Sequence, residues 1–328
     1  MNATPERIFQ TLLAFQSAGA LKGAIDLYLF TAIGGGATSV PAIAAACSAS
    51  ERGIRILCDY LAIGGFLTKS GDAYGLTEES AAFLDKRSPV YLGSVAIFLG
   101  HPFHREAASD VAKTVRTGTS ILDANKFFDI EHEAWIRFAE GMAPMMMPAA
   151  HYMASLVDAP KRVLDIAAGH GIFGIMTAAQ HQTAVIDALD WAGVLAVARG
   201  NASKFGVSDR WNAIEGSAFD ITPAGPYDAI YVTNFFHHFD KATCTGLMKK
   251  WRALLAPGGV MLTLEFIPNA DRVTPPTSAA FPMTMLLNTP SGDAYTFAEY
   301  NAMLREAGFA SNELHQVPNS PQQLIVSK

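Results

Sequence analysis

The residues best suited to chemistry lie around a small-residue turn that follows an apolar run at 163–166. Asp165 stands near the end of that run, and Gly169, Gly171 and Gly174 follow it. Glycines let a backbone approach a ligand closely, and a helix that starts at such a turn points free N–H groups toward it. The G-x-G-x-x-G spacing indicates a nucleotide-type cofactor, although the spacing alone is a weak signal.

Asp165 favours S-adenosylmethionine over NAD as the cofactor. A carboxylate at this place would repel the two phosphates of NAD, which such turns otherwise receive at a helix N-terminus. S-adenosylmethionine has no phosphate and carries a sulfonium and an ammonium group, so a carboxylate suits it, directly or through the turn amides. The alternative role for Asp165 is simply to cap the turn. We therefore expect S-adenosylmethionine as the cofactor.

Later positions fit other parts of that cofactor. Asp190 closes the next apolar run and can accept hydrogen bonds from both ribose hydroxyls. Ala218 and Phe219 would flank the adenine ring, with Ser217 as a hydrogen-bonding partner. The predicted cofactor-binding residues are Asp165, Ala167, Gly169, Gly171, Asp190, Trp191, Ser217, Ala218, Phe219, Thr233 and Asn234.

From residue 161 onward, apolar runs alternate with helical patterns, which predicts a Rossmann-like, doubly wound parallel α/β sheet. The predicted strands are 162–166, 184–189, 211–215, 227–233, 260–265, 314–317 and 323–327. Ligands bind beyond the carboxyl ends of such strands. Asp165, Asp190, Phe219, His237 and Glu265 fall at or just after predicted strand ends, so one cleft can collect them all.

Residues 1 to about 100 have the helix, helix, hairpin order of a winged helix. The helices are predicted at 40–47 and 51–64, and the hairpin strands at 66–68 and 73–77. DNA binding would need clustered bases. The second helix has only Arg52 and Arg55, and Lys69 on the wing faces Asp72. We therefore expect a dimerisation module and no nucleic-acid partner.

The composition excludes several classes of protein. The chain has 328 residues, half of them apolar and 16% charged, with a net charge of −6. That length suggests about two domains, and the charge argues against a general phosphate-binding surface. Three scattered cysteines predict a reduced protein without a disulfide or metal framework. The sequence contains no uncharged apolar run of about 18 residues, the length that would predict a membrane span. A cytoplasmic location is therefore expected.

Over nearly its whole length the chain resembles the class I S-adenosylmethionine-dependent O-methyltransferases of the plant caffeic-acid type and their bacterial relatives in polyketide and pigment biosynthesis. The resemblance rests on Val163-Leu164-Asp165 with its turn, Asp190-Trp191, Gly216-Ser217-Ala218-Phe219, Phe236-His237-His238-Phe239-Asp240, Pro257-Gly258-Gly259 and Glu265. The chain departs from the family at Ala167, where glycine is common, and at Ser217, where many members have aspartate.

The resemblance implies a seven-stranded methyltransferase-type sheet behind a mainly α, winged-helix-like dimerisation domain. The implied domains are the dimerisation domain at 1–100, a helical connector at 101–158 that contributes to the substrate pocket, and the S-adenosylmethionine-binding catalytic domain at 159–328. Homodimerisation through the first domain is expected.

The resemblance also implies the catalytic pair. His237 takes the place of the family's general base, and His238-Phe239 replace its Asp-Trp. The family's first supporting acid follows the histidine by 28 residues, which here is Glu265. Histidine suits the task because its ordinary pKa of about 6.5 lies near working pH, and a carboxylate behind it stabilises the imidazolium. His238 remains the alternative base. The family's second acid falls at Ala294, with Asp293 beside it.

An apolar slot for a flat acceptor is expected from two helical segments. The predicted pocket residues are Phe138, Met142, Met146, His238, Met283 and Leu287. Core filling explains each methionine equally well, since methionine adapts to irregular gaps.

The predicted function is methylation of a hydroxyl on a small aromatic or polyketide-like molecule. The alternatives are C- or N-methylation or a non-methylating use of the cofactor. The alternative of another class is a winged-helix regulator that binds DNA in response to a small molecule.

Overall fold

In the computed structural model, the chain forms two compact units, Met1–Pro102 and Phe103–Lys328. The structure describes the backbone of residues 4–122 and 124–328, and the side chains of these residues except 97, 124–134 and 137. None of the helices in this described part combines the length and the apolar character needed to cross a membrane.

The first unit is mainly helical, with one hairpin. Its elements are α1 (Glu6–Asp26), α2 (Leu29–Gly34), α3 (Val40–Ala46), α4 (Glu51–Ile63), β1 (Leu67–Ser70), β2 (Ala73–Leu76), α5 (Glu78–Phe83) and α6 (Gly93–Leu99). Ser39, Ser50 and Thr77 start three of these helices, because each side chain accepts a backbone N–H of the first turn. The predicted helix, helix, hairpin order is confirmed.

The core of this unit lies between α2, α3, α4 and the hairpin. Ile43, Ile54, Leu61 and Tyr74 are among its buried side chains. The first half of α1 contributes nothing to it. Five large apolar side chains of that segment are 47–69% exposed: Ile8, Phe9, Leu12, Leu13 and Phe15.

Two bases of the winged-helix region, Arg55 and Lys69, are paired with one acid, Asp59. Lys69 Nζ lies 2.5 Å from Asp59 Oδ1, and Arg55 lies 3.2 Å from the other oxygen of the same carboxylate. The prediction that Lys69 pairs with Asp72 was therefore wrong, because Asp59 on α4 is the acid that contacts Lys69. Neutralised bases of this kind argue further against phosphate binding.

The second unit begins with helices and continues as an α/β sheet. The helices before the sheet are α7 (Pro102–Ala107), α8 (Val111–Thr117) and α9 (Ala124–Ser155). The strands are β3 (Arg162–Ile166), β4 (Val185–Asp190), β5 (Trp211–Glu215), β6 (Tyr227–Thr233), β7 (Leu255–Glu265), β8 (Asn312–Gln316) and β9 (Gln323–Ser327). The later helices are α10 (Ile172–Gln180), α11 (Ala192–Lys204), α12 (Lys241–Arg252), α13 (Pro276–Asn288) and α14 (Phe297–Glu306).

The seven strands lie in the order β5-β4-β3-β6-β7-β9-β8. The pairs from β5 to β7 are parallel, and β9 pairs antiparallel with both β7 and β8. Two apolar cores cover the two faces, since Val163 belongs to one cluster and its neighbour Leu164 to the other. The predicted seven-stranded fold class is confirmed, with one antiparallel strand, β9, next to the edge strand β8.

β7 is longer than predicted. It begins at Leu255 and not at the predicted residue 260, so Pro257-Gly258-Gly259 lies within the strand. Gly258 has φ +80°, and the register with β6 shifts between Tyr227 and Ala229. The irregular segment joins the end of α12 to the regular part of β7, which ends at Glu265.

Candidate active site

The turn between β3 and α10 takes a left-handed backbone at three positions. φ is +50° at Ala167, +56° at Gly169 and +72° at Gly171. Glycine adopts this conformation freely, whereas a residue with a Cβ loses on the order of 1–2 kcal/mol in it. A Cβ on Gly171 would also lie 2.9 Å from the Cβ of Ala198 on α11. Small residues are therefore required for the course of the turn and for its packing.

Asp165 lies behind the turn and is fully buried. Its Oδ2 accepts the Gly174 N–H at 3.0 Å, and a Cβ on Gly174 would lie 3.0 Å from the same oxygen. Burial raises the pKa of Asp165 to about 8, so the group is largely protonated at neutral pH. Asp165 was expected either to contact the cofactor directly or to act through the turn amides. Its burial supports the second of these roles.

The amides of the turn are mostly used within the protein. Ala168 N–H donates to Leu189 O, Gly169 N–H to Asp190 Oδ2, and Gly171 N–H to Ala168 O. Ile172 N–H donates to His170 Nδ1 at 3.2 Å. The expectation that this turn offers a set of free N–H groups to a ligand was therefore wrong for these positions, because neighbouring side chains and carbonyls accept them.

Asp190 ends β4 beside the turn. Its Oδ2 accepts Gly169 N–H at 2.8 Å and its Oδ1 accepts Trp191 N–H at 2.7 Å. Burial raises the pKa of Asp190 to about 6. Each carboxylate oxygen can accept two hydrogen bonds, so each has one position left for a hydroxyl donor.

A cavity opens in front of this turn, at the carboxyl ends of β3, β4 and β6. Aromatic side chains and small residues dominate its lining, with a few polar groups, as in many small-molecule sites. The lining residues are Trp135, Phe138, Ala167, Ala168, Gly169, His170, Phe173, Asp190, Trp191, Val194, Thr233, Asn234, Phe235, His238, Phe239, Thr289, Pro290 and Ser291.

His237 and Glu265 form a buried pair at the ends of β6 and β7. His237 Nδ1 lies 2.5 Å from Glu265 Oε2, and Glu265 Oε1 accepts the N–H groups of Phe235 and Phe236 at 3.0 and 2.9 Å. Because a carboxylate can only accept, Nδ1 carries the proton and neutral His237 keeps a basic lone pair on Nε2. The rings of Phe281 and His237 pack nearly perpendicular to each other, with their centroids 4.9 Å apart.

Asp293 does not take the place of a second supporting acid. Its backbone N–H donates to His237 O at 3.0 Å, but its carboxylate accepts the Ala294 N–H and lies 3.9 Å from Arg272. Glu265 is thus the carboxylate that contacts the His237 ring in the described structure.

His238 packs against His237 and lines the cavity. Its ring centroid lies 4.2 Å from that of His237 and 5.3 Å from that of Trp135. Its Nδ1–H donates to Phe235 O at 3.1 Å. Burial, and then the nearby His237, lower the pKa of His238 well below its ordinary value, so the ring is neutral at neutral pH.

Comparison with known proteins identifies the family. Residues 133–310 match a family model described as an O-methyltransferase domain, and residues 9–86 match one described as an O-methyltransferase dimerisation domain. The first match covers more than half of the chain. The chain belongs to the O-methyltransferase family. This membership confirms the family that the sequence resembled and its enzyme class.

Individual O-methyltransferases match along the whole chain. A crystal structure from Nostoc punctiforme, assigned to the O-methyltransferases, is 44% identical, covers 100% of this chain and 99% of that one, and has a TM-score of 0.95. The 3-hydroxy-5-methyl-1-naphthoate 3-O-methyltransferase of Streptomyces sahachiroi is 26% identical over 93% of this chain and 90% of its own length. Human N-acetylserotonin methyltransferase, solved in complex with SAM, shares the fold at 21% identity, 100% and 98% coverage and a TM-score of 0.87.

S-adenosylmethionine, the predicted cofactor, is the cofactor of this methyltransferase family. The cavity of this chain has features that fit such a molecule. Asp190 offers two unused acceptor positions beside a turn whose glycines let a ligand approach closely. Aromatic rings around that position suit a nucleoside, whose base is flat and apolar on both faces.

Some of the predicted site residues line the cavity and others lie outside its lining. The cavity brings together Ala167, Gly169, Asp190, Trp191, Thr233 and Asn234 of the predicted cofactor set with Phe138 and His238 of the predicted substrate set. Asp165 and Gly171 lie behind the turn and shape it.

Three predicted adenine contacts lie outside the lining of this cavity. Ser217 Oγ accepts the Phe219 N–H at 3.1 Å, and Lys250 Nζ donates to the carbonyls of Ala218 and Phe219. The Phe219 ring is 48% exposed and packs edge-on at 5.1 Å against Phe239, which does line the cavity. Adenine contact by Ser217, Ala218 and Phe219 stays a prediction.

The predicted substrate methionines have different surroundings. Met146 is buried in the core cluster between α9 and α10, and Met142 packs against the same cluster, so core filling accounts for both. Met283 is 42% exposed and lines an open groove with Asp240 and Lys241. The carbonyl of Leu287 accepts Ser120 Oγ at 2.6 Å.

Sequence reasoning missed several lining residues. His170 stands between the first two glycines, where the motif allows any residue. The others are Trp135, Ala168, Phe173, Val194, Phe235, Phe239, Thr289, Pro290 and Ser291. Phe235 and Phe239 flank the predicted histidines and were within reach of a sequence argument. Thr289, Pro290 and Ser291 follow α13 in a loop, and no sequence signal placed that loop at the cavity.

Proposed function

We propose that this enzyme transfers a methyl group from S-adenosylmethionine to a hydroxyl of a small aromatic or polyketide-like molecule, with His237 as general base and Glu265 as its support. The observation that carries the proposal is the 2.5 Å contact between His237 Nδ1 and Glu265 Oε2, next to the cavity. The naphthoate O-methyltransferase of Streptomyces sahachiroi supports the acceptor class.

When bound, S-adenosylmethionine supplies an electrophilic methyl group on a sulfonium. His237 would accept the hydroxyl proton of the acceptor on Nε2, so that the acceptor oxygen could take the methyl group, with S-adenosylhomocysteine as the other product. Glu265 stabilises the imidazolium by accepting from Nδ1–H, and the Phe235 and Phe236 amides fix that carboxylate in place. A positioned base of this kind contributes about 10²–10⁴-fold.

We place the acceptor on the side of the cavity that Phe138 and His238 line, with Met283 and Leu287 as its proposed outer wall. Aromatic side chains that include Trp135 and Phe239 favour a flat, apolar acceptor.

A panel of phenols and hydroxynaphthoates tests the reaction, each paired with its O-methyl ether and with the corresponding amine. We expect one S-adenosylhomocysteine for each methylated product, by mass spectrometry, and no turnover of the ethers. Methylation of an ether would show attack by carbon, and preference for the amine would show N-methylation. Conversion of an acceptor without S-adenosylhomocysteine would show non-methylating chemistry.

We further propose a homodimer formed through the first unit. The dimerisation-domain match at residues 9–86 supports it, and so does the exposed apolar face of α1. Light scattering should give a molar mass near twice the 35.0 kDa of one chain, and replacing Leu12 by glutamate should shift the mass toward one chain. A wild-type mass of one chain would contradict the proposal.

We keep 1–100, 101–158 and 159–328 as the proposed dimerisation, connector and catalytic domains. We also propose a reducing, cytoplasmic location. Cys47, Cys58 and Cys244 are buried free thiols, which suits such a compartment. Fractionation that finds the protein in an oxidising compartment would contradict this location.

A further inference from the structure

Two histidines line the cofactor cavity with opposite ring tautomers. His170 Nδ1 accepts the Ile172 N–H at 3.2 Å, whereas His238 Nδ1–H donates to Phe235 O at 3.1 Å. A backbone N–H can only donate and a carbonyl can only accept. Neutral His170 therefore carries its proton on Nε2, and neutral His238 carries its proton on Nδ1 and a lone pair on Nε2.

Both rings stay neutral at neutral pH. Burial lowers the pKa of His170 to about 4, and burial together with His237 lowers the pKa of His238 well below its ordinary value. A protonated His170 would also place an N–H against the Ile172 N–H. In the described part of the chain, neither Nε2 atom has a hydrogen-bond partner, so His170 offers a donor and His238 an acceptor.

A zwitterionic ligand finds few charged partners in the described lining. Among the described lining residues there is no lysine or arginine, and Asp190 is the one carboxylate. The amides of Ala168, Gly169 and Ile172 already donate within the protein. These three amides are therefore not free to donate to a carboxylate that enters the cavity.

We propose that His170 and His238 hold the amino-acid group of S-adenosylmethionine: His170 Nε2–H donates to the carboxylate, and the ammonium donates to His238 Nε2. The proposal rests on the cofactor site and adds the residues that recognise its amino-acid end. Two neutral rings hold a zwitterion without adding a charge. An added anion beside the sulfonium would stabilise the reactant, whose positive charge the reaction removes.

Asparagine variants test the contact of Nε2 separately from the contact of Nδ1 in each ring. In His170→Asn, the side-chain oxygen can still accept the Ile172 N–H, and in His238→Asn the amide can still donate to Phe235 O. Each variant lacks the group at the Nε2 position. His151→Asn is the matched control, since His151 is exposed on α9 and lies outside the cavity lining.

Calorimetry with S-adenosylhomocysteine and 5′-methylthioadenosine, which lacks the amino-acid group, measures the contacts. Each site variant should bind S-adenosylhomocysteine about 10–100-fold more weakly, the range for a hydrogen bond to a charged group. Their affinity for 5′-methylthioadenosine should match that of wild type. Decarboxylated S-adenosylmethionine should bind to His170→Asn with the same affinity as to wild type, because it has no carboxylate. It should bind to His238→Asn more weakly than to wild type.

Equal losses for S-adenosylhomocysteine and 5′-methylthioadenosine would overturn the proposal, because the histidines would then act through the shape of the turn. Unchanged affinity for both ligands would overturn it as well. Wild-type protein that binds neither ligand would instead refute the cofactor site. Circular dichroism melting of each variant identifies one that fails to fold, and His170→Ser or His238→Ser, whose hydroxyl can keep the local backbone contact but does not reach the Nε2 position, then takes its place.

Discussion

Replacing His237 by glutamine is expected to lower kcat for a hydroxyl acceptor by about 10²–10⁴-fold. Glutamine fills similar space but has no basic nitrogen to take the hydroxyl proton. Affinity for S-adenosylhomocysteine should stay close to wild type, because His237 is outside the lining of the cofactor cavity. Steady-state kinetics at saturating cofactor and calorimetry on the same protein measure the two quantities separately.

Glu265→Gln belongs to the same prediction. The glutamine oxygen can keep accepting from the Phe235 and Phe236 amides, so its NH₂ group then faces His237 Nδ1. Nδ1 must accept in that arrangement, which moves the ring proton to Nε2 and removes the basic lone pair. We expect a loss of kcat comparable to that of His237→Gln, with the fold retained.

His238→Gln is the matched control for the choice of base. We expect it to raise the KM for cofactor and to retain most of kcat at saturation, because His238 is proposed to position the cofactor. If His238→Gln is inactive at saturating cofactor while His237→Gln turns over, His238 is the base and the assignment of His237 is wrong.

Most of the fold was predictable because its signals are local. Buried parallel strands read as short apolar runs, and the predictions for β3, β5 and β6 agree with the structure to the residue. The start of β7 was missed because Pro257 and the two glycines after it are typical of a turn, whereas pairing with β6 overrides that preference. The antiparallel direction of β9 follows from tertiary pairing and has no signal in the strand itself.

The cofactor was predicted correctly, but the physical reason differs in part. The sequence argument used a negative charge at Asp165, whereas burial keeps that group largely protonated. Asp165 instead holds the turn through Gly174, and Asp190 is the carboxylate that lines the cavity. Burial and tautomers depend on the packed structure, which explains why His170 carried no signal in the sequence.

Replacing Asp190 by alanine is expected to weaken S-adenosylhomocysteine binding by at least about 100-fold, since two hydrogen bonds to a charged group are lost. Asp190 also accepts the amides of Gly169 and Trp191, so alanine loosens the turn as well. Asp190→Asn is the milder change, because its one side-chain oxygen can still accept one of the two amides and one hydroxyl, and it should lose about 10-fold. Calorimetry at pH 7.5 checks both values, and unchanged affinity in the alanine variant would refute the ribose assignment.

The pH dependence of binding gives an independent check on Asp190. Its pKa is raised to about 6, and the ionised form is the one that accepts from ribose hydroxyls through both oxygens. Affinity should therefore fall as the pH drops from 7.5 to 5, and Asp190→Asn should remove that fall. His170 stays neutral over this interval because its pKa lies at about 4, and His238 stays neutral because burial lowers its pKa well below the ordinary value. A fall of equal size in Asp190→Asn would assign the titration to another group and contradict the proposed contact between Asp190 and the ribose.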